Sequence, residues 1–480
     1  EAALTLEGPL FRKNKDKPAK TSVLFSVRRS YLQFLFELIG LPIRPDYWDF
    51  QWKINHEIDS YNTIIFLGLG AVDDFSVKPP EEFDARQQAT VEQVPIIQQK
   101  TMTIGLSWKK KYKNGKGNMV TSISTNRLQN IFSRYQDNTS KSGIIFRNDS
   151  HEQETKLRYH TLHYLDKWKL VAGANLQQSD YGNKTQSILY DLSYNTNIKF
   201  LKYGFFIKGQ RQFFNQNLGV ALGFRFDADT FSNGSSLADN FSPRLSLTYN
   251  LTEDQSWKIN TSIGRYYKIP TYTMLGFQKP IDDFVNQNAK YTQCDHAVFG
   301  VEYSPGNAAR ITLEGFYKKY SQYPISVIDQ VSLANKGGGF EVLGNEAITS
   351  NGKGKSYGVE ALYQQKLAKN FYGVFAYTYF HSQFTTSKGK FLPSVWDSRH
   401  LISFSGGYKL KRNWEISARW RFSGLTPYVP VDLDGSLAAY PEIVLDYSQL
   451  GNAKLDPFNL ADIRFDKKWN FKSYSFNFYF

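Results

Sequence analysis

Residues Trp414 to Phe422 alternate between apolar and polar without a break: Trp414, Ile416, Ala418, Trp420 and Phe422 are interleaved with Glu415, Ser417, Arg419 and Arg421. A side-chain period of two belongs to an extended strand, whose successive residues point to opposite faces; a helix would scatter the same apolar residues around its circumference. The pattern recurs in Leu218, Val220, Leu222, Phe224 and Phe226, in Ala461, Ile463 and Phe465, in Ile311 and Leu313, and in Trp168, Leu170, Ala172, Ala174 and Leu176. About twenty such segments can be marked along the chain.

The faces opposite the apolar ones carry Arg, Glu, Asp and Lys. A soluble sandwich would have to bury those charges unpaired, at prohibitive cost. The apolar faces therefore meet lipid, and closure of the sheet removes its edges. Composition agrees: hydrophobic residues make up only 41% of the chain, yet aromatics reach 16%. In a barrel wall only every second residue must be apolar. No run approaches the roughly 18–20 apolar residues of a membrane-spanning helix. The expected fold is all-β, a large antiparallel transmembrane β-barrel occupying residues 1–480 as one domain.

Connection lengths support a one-sided topology. Tight links near Asp166-Lys167, Thr252 to Gln255, Pro305-Gly306-Asn307, Lys369-Asn370, Arg412-Asn413 and Asn470 alternate with long excursions. The excursions are Ser76 to Lys100, Lys268 to Tyr291, Tyr323 to Ser356, Thr385 to Ser398 and Leu425 to Pro457. Outer-membrane barrels have short periplasmic turns and long extracellular loops. Tyr31 to Gly40 is denser in apolar residues than a two-faced strand, and reads equally as a loop helix or a wall segment.

The net charge of +14 is spread largely over turn lysines such as Lys109 to Lys111, Lys366 to Lys369 and Lys409 to Arg412. Lipid phosphates, not nucleic acid, are the expected partner. Cys294 is the single cysteine, which rules out an intramolecular disulfide and a four-thiolate metal site. His160 and His163, three apart on a strand, face opposite ways and cannot chelate one ion. Asp397, Ser398 and His400 are too close along an extended chain to form a catalytic relay. No enzyme activity, cofactor or metal is expected.

Several segments together resemble TonB-dependent outer-membrane receptors, especially those of Bacteroidetes-type bacteria. They are Leu6 to Leu10, Ser26 to Tyr31, Tyr266 to Pro270, Leu313 to Tyr320, Ser356 to Glu360 and Trp396 to His400. The resemblance is to the barrel portion. It implies about 22 wall strands, of which about twenty are visible here, an N-terminal plug and a TonB-contact segment. On that reading the chain lacks the plug and TonB-contact segment and is truncated at both ends, the last hairpin before Phe480 being penultimate.

By alternation Arg310, Glu314, Glu360, Arg399, Glu415, Arg419, Arg421, Asp462, Arg464 and Asp466 should face the lumen, as a solvated or plug-contacting lining or as direct ligand contacts. Trp168, Trp257, Trp414, Trp469, Tyr474 and Phe480 fit interfacial girdles. Phe277, Tyr323, Phe340, Trp396 and Tyr428, in or beside long loops, are the ligand-stacking candidates. The expected function is import of a large or scarce ligand. Its expected partners are outer-membrane lipids, a plug of its own chain and a TonB-type energy-transducing protein. The alternatives are a passive pore, or a structural subunit bound to a surface lipoprotein or another outer-membrane protein.

Overall fold

The computed structural model describes residues 2–10, 19–78, 84–188, 192–233, 235–279, 284–336, 343–440 and 443–480. The chain opens with β1 (Ala2–Leu10), β2 (Thr21–Arg29), helix α1 (Leu32–Leu38), β3 (Ile43–Glu57) and β4 (Asn62–Val77). Helix α2 (Ala85–Gln93) leads to β5 (Ile96–Lys111), then to β6 (Gly117–Asp137), β7 (Ser142–Leu165), β8 (Trp168–Ser187) and β9 (Leu192–Phe213). β10 (Leu218–Asp229), β11 (Ser242–Asn250) and β12 (Trp257–Lys268) precede the one-turn helix α3 (Tyr272–Leu275). The wall continues through β13 (Thr292–Tyr303), β14 (Ala309–Ser326), β15 (Ile348–Ala368), β16 (Phe371–Thr385), the short β17 (Phe391–Pro393), β18 (His400–Lys409) and β19 (Trp414–Ser423). An elaborate connection holds β20 (Thr426–Tyr428), β21 (Val431–Asp432), helix α4 (Leu433–Ala438), β22 (Val444–Leu445) and β23 (Ala453–Leu455). β24 (Phe458–Asn470) and β25 (Ser475–Tyr479) return to the wall.

Among the described residues the wall is a single 21-stranded sheet in which every pairing is antiparallel and sequence neighbours are spatial neighbours, β19 pairing with β24 across the elaborate connection; β1 pairs only with β2 and β25 only with β24, so no ladder between these two strands closes the sheet. Cross-strand partners share a face. Ile416 lies opposite Phe465 and Ala418 opposite Ile463, while Glu415 lies opposite Asp466 and Arg419 opposite Asp462. The same two faces can be followed strand to strand around the wall. Phe299, Leu313 and Val359 belong to the outward face, and all are exposed among the protein atoms, as lipid-facing residues should be.

Short links close one end. The hairpin from Ala368 to Phe371 turns through Lys369 and Asn370 at φ +50° and +70°. Two left-handed residues give the type I′ turn that matches strand twist. At this end the girdle rings gather: Trp257 stacks on Tyr303 at 4.3 Å, Trp469 meets Phe476 at 5.6 Å, and Lys467 lies 5.2 Å over Trp414.

The opposite end departs from the sequence reading. β6 to β9 are 21, 24, 20 and 22 residues long, whereas about 9–11 residues cross a membrane. Along β7 the outward face runs Leu165, Tyr159, Leu157 and then turns polar at Thr155, Gln153, His151 and Asp149; along β8 it changes from Leu176 to Gln178 and Asp180. The upper halves therefore stand clear of the bilayer as a tall wall. Tyr323 to Ser356 is not one excursion, because β14 runs to Ser326 and β15 starts at Ile348. Ser76 to Lys100 shortens in the same way and encloses α2, and Tyr31 to Gly40 contains the loop helix α1.

Leu313 is outward-facing near the middle of the apolar band and half exposed. Leu313→Arg should destabilise the folded barrel by about 2–4 kcal/mol, read as a lowered midpoint of urea unfolding in bilayers.

Candidate functional site

The upper part of β9 inverts the pattern of its lower part. Phe205 and Ile207 are outward and apolar, whereas higher up Tyr194, Ile198 and Phe200 are the apolar set and lie on the inward face. Nothing apolar waits outside at that height, so the rings must be covered from within. The covering element is the loop between β12 and β13. Tyr272, Leu275 and Ala289 of this loop form a buried cluster with Tyr181, Ile198 and Phe200. Tyr272 meets Phe200 edge-on at 5.5 Å, and Phe277 meets Tyr194 edge-on at 5.6 Å.

A polar latch lies beside this cluster. The Tyr272 hydroxyl donates to Glu154 Oε1 at 2.5 Å and lies 2.9 Å from Ser179 Oγ, and Lys202 Nζ approaches the same phenol oxygen. Lys156 and Lys202 bracket Glu154 at 2.5 and 3.1 Å. Burial alone would push the Glu154 carboxyl up; the hydrogen bonds from Lys156, Tyr272 and Lys202 and the Lys202 charge outweigh it and hold the group at about 2. Burial and the neighbouring carboxylate raise the Tyr272 phenol, which stays protonated.

The next two loops are tied to this one. Asn286 Nδ2 donates to Met274 O and Glu346 O at 2.9 and 2.8 Å, and its Oδ1 accepts from Ile348 N. Gly344, at φ +94°, passes so close to Met274 that a Cβ would fall 2.7 Å from its Cγ. Within the β14–β15 loop, Lys336 Nζ lies 2.6 Å from both Asp329 and the buried Glu346. Those two carboxylates raise its pKa against the effect of burial. Asn335 Nδ2 then donates to Pro393 O at 3.1 Å, reaching the β16–β18 loop. Three successive loops thus form one interlocked assembly over the lumen mouth.

Below the mouth, the inward face is a field of charges open to solvent. Arg310 holds Glu302 at 2.7 Å, with Lys258 3.7 Å from the same carboxylate, and Arg464 holds Asp466 at 2.6 Å. The Tyr372 hydroxyl donates to Glu415. Glu314 stands directly opposite Glu360, and among the described residues neither has an ion-pair partner.

A family model described as TonB dependent receptor-like, beta-barrel matches residues 44–480. The chain belongs to this family. As a TonB-dependent receptor barrel it is an outer-membrane protein of a Gram-negative bacterium, in a family of receptors and transporters. A mutant of the ferric enterobactin receptor of Pseudomonas aeruginosa superposes with TM-score 0.67 at 13% identity, covering 97% of this chain and 69% of the other. The ferric-catecholate import receptor Fiu of E. coli K12 gives TM-score 0.68 at 10% identity, covering 98% and 73%. The ferripyoverdine receptor of Pseudomonas aeruginosa gives TM-score 0.68 at 13% identity, covering 97% and 63%. At such identities the likeness is one of fold. No curated protein matches the sequence.

In this TonB-dependent receptor barrel the sequence-derived site residues separate into groups. Arg310, Glu314, Glu360, Glu415, Arg419, Arg421, Asp462, Arg464 and Asp466 fall on one face, opposite the lipid-facing one. Arg399 does not: at φ +66° it leaves the strand's alternation, and its guanidinium meets His381 on the outward face and Asp397. Of the loop aromatics, Phe277 is 5% exposed, locked against Tyr194. Tyr323 belongs to β14, not to a loop, and packs on Phe384 at 4.5 Å. Neither offers a free ring face. Trp396 is 68% exposed and Tyr428 is exposed on β20. Phe340 lies outside the described residues.

The latch was missed by sequence reasoning, although the phase change in β9 and the closely spaced Glu152, Glu154 and Lys156 of β7 signal an inward face built for contact. Glu154→Gln should release α3: exchange of the Leu275 and Gly276 amides, which donate to Thr271 O and Tyr272 O, should rise at least tenfold, since losing a hydrogen bond to a charged group costs about 1.5–3 kcal/mol. The Glu154 carboxyl is held low by Lys156 and Lys202 of the wall together with Tyr272 of the loop, so its contribution is complete above its ordinary value of 4.5 and is lost progressively as pH falls from there to about 2. Amide protection in the wild type should accordingly be full above pH 4.5, weaken progressively below it and fail near pH 2.

Proposed function

We propose that this receptor captures a scarce ligand at the three-loop mouth and imports it through the lumen, driven by a TonB-type periplasmic protein acting on a plug. The observation that carries the reading is the inward face itself. A wall of this strand number encloses a space too wide for its own side chains to fill, and its lining includes Glu314 facing Glu360 without compensating cations among the described residues. Like charges directly opposite destabilise a sheet, so a plug domain presenting basic groups there would relieve them. The charged lining on this reading contacts the plug more than the ligand. Ligand contact falls to the exposed Trp396 and Tyr428 and to the loops around them.

The three structural neighbours named above are a ferric enterobactin receptor, a ferric-catecholate import receptor and a ferripyoverdine receptor. Ferric chelates are therefore the first ligands to offer. A deletion strain supplied with single iron and carbon sources should lose growth on one of them and regain it with the wild-type gene. Uptake of that ligand should stop when the proton-motive force is collapsed, which a passive pore would survive. Normal growth on every source would sink the import reading and favour the structural-subunit alternative.

A further inference from the structure

The outward face between β12 and β16 changes character within one step of the strands. One ring-bearing row places Tyr317 opposite Tyr357 and Tyr357 opposite His381, stacked with centroids 6.3 and 5.1 Å apart, and Tyr267 and Phe391 add rings farther up the same face. A layer of amphipathic rings marks the headgroup level of a bilayer. The next outward row, one step farther from the hydrocarbon, runs Arg265, Asp295, Lys319, Lys355 and Gln383 across five adjacent strands.

Charge within this row is unevenly matched. Asp295 faces Lys319 across the sheet, but both its oxygens are taken by Arg265 through hydrogen bonds of 2.6 and 3.1 Å. Lys319 then stands directly opposite Lys355. Among the described residues neither lysine has a carboxylate within ion-pair distance. Opposed residues in such a ladder have β-carbons about 4.5–5.5 Å apart, close enough for like charges to destabilise the pair. Lys355 Nζ lies 4.8 Å over the exposed ring of Phe391, which positions the ammonium without neutralising it. Exposed Lys353 stands two residues farther along the same face.

We propose that Lys319 and Lys355 grip the phosphate of an outer-leaflet lipid, with Lys353 as a third cation. An anion between the two ammonium groups turns their repulsion into a bidentate clamp. The surface is continuous with the lipid-facing rows Leu313–Ala361 and Gly315–Val359 below it, so lipid already covers its lower edge. It also lies on the outside of the wall, away from the ligand path. A soluble acidic partner would have to descend to the headgroup layer to reach it. Each lysine near an anionic lipid surface contributes enough that losing both should weaken binding roughly thirtyfold.

The test uses the purified full-length protein in neutral detergent and native mass spectrometry, with phosphatidic acid as probe and phosphatidylcholine for comparison. Wild type should retain phosphatidic acid roughly thirtyfold more tightly than K319Q/K355Q, and the two should not differ toward phosphatidylcholine. Heat-modifiable migration checks that the variant is folded, and K319R/K355R should keep the binding. K366Q/K369Q, at a turn on the opposite rim, should behave as wild type. Equal retention by wild type and folded K319Q/K355Q would overturn the proposal. So would complete displacement of the lipid by millimolar inorganic phosphate, or preferential capture of a polyglutamate peptide.

Discussion

In hydrocarbon a backbone N–H or C=O has no water to turn to, so every one of them must find a partner in the chain itself. The paired strands of the wall, from β2 to β24, follow from that requirement. A ladder of antiparallel strands satisfies the backbone, and the pleat then sends alternate side chains to lipid and to lumen. This is why Glu415, Arg419 and Asp462 can be charged while their neighbours Ile416, Trp420 and Ile463 are apolar. Sequence charge and membrane insertion are compatible only because the two faces meet different solvents.

Above the bilayer the requirement relaxes, yet β6 to β9 continue as ladders. Water bathes the outer side of the extension, and the inner side becomes available for packing. The apolar set of β9 accordingly moves from odd to even positions between Leu201 and Phe200, with no break in its register against β8. The barrel thus carries two hydrophobic surfaces of opposite sense on one strand. The lower one is covered by lipid. The upper one is covered by the β12–β13 loop, which the Glu154 latch fixes in place.

What the sequence made legible was what periodicity encodes: the strands in the membrane, the tight turns, and the face on which nine of ten lining charges lie. It did not reveal the extensions, because Gln177, Gln178, Ser179 and Asp180 have polar side chains on both faces and leave no alternation to read. Arg399 escaped because one left-handed residue, invisible in composition, redirects its side chain. Phe277 and Tyr323 were read as accessible loop aromatics, but ring accessibility is decided by tertiary partners, Tyr194 and Phe384, distant in sequence. The latch joins Tyr272 to Glu154 across 118 residues, beyond the reach of any local pattern.

The loop-to-loop bonds through Asn286 and Asn335 have a mechanical consequence. Asn286 uses both its amide hydrogens and its oxygen on neighbouring backbone, so it cannot shift without stretching bonds to two loops at once. Asn335 carries the coupling to a third. A body that presses on one loop therefore meets the stiffness of all three. Small forces are shared and absorbed, and the mouth yields as a unit or not at all.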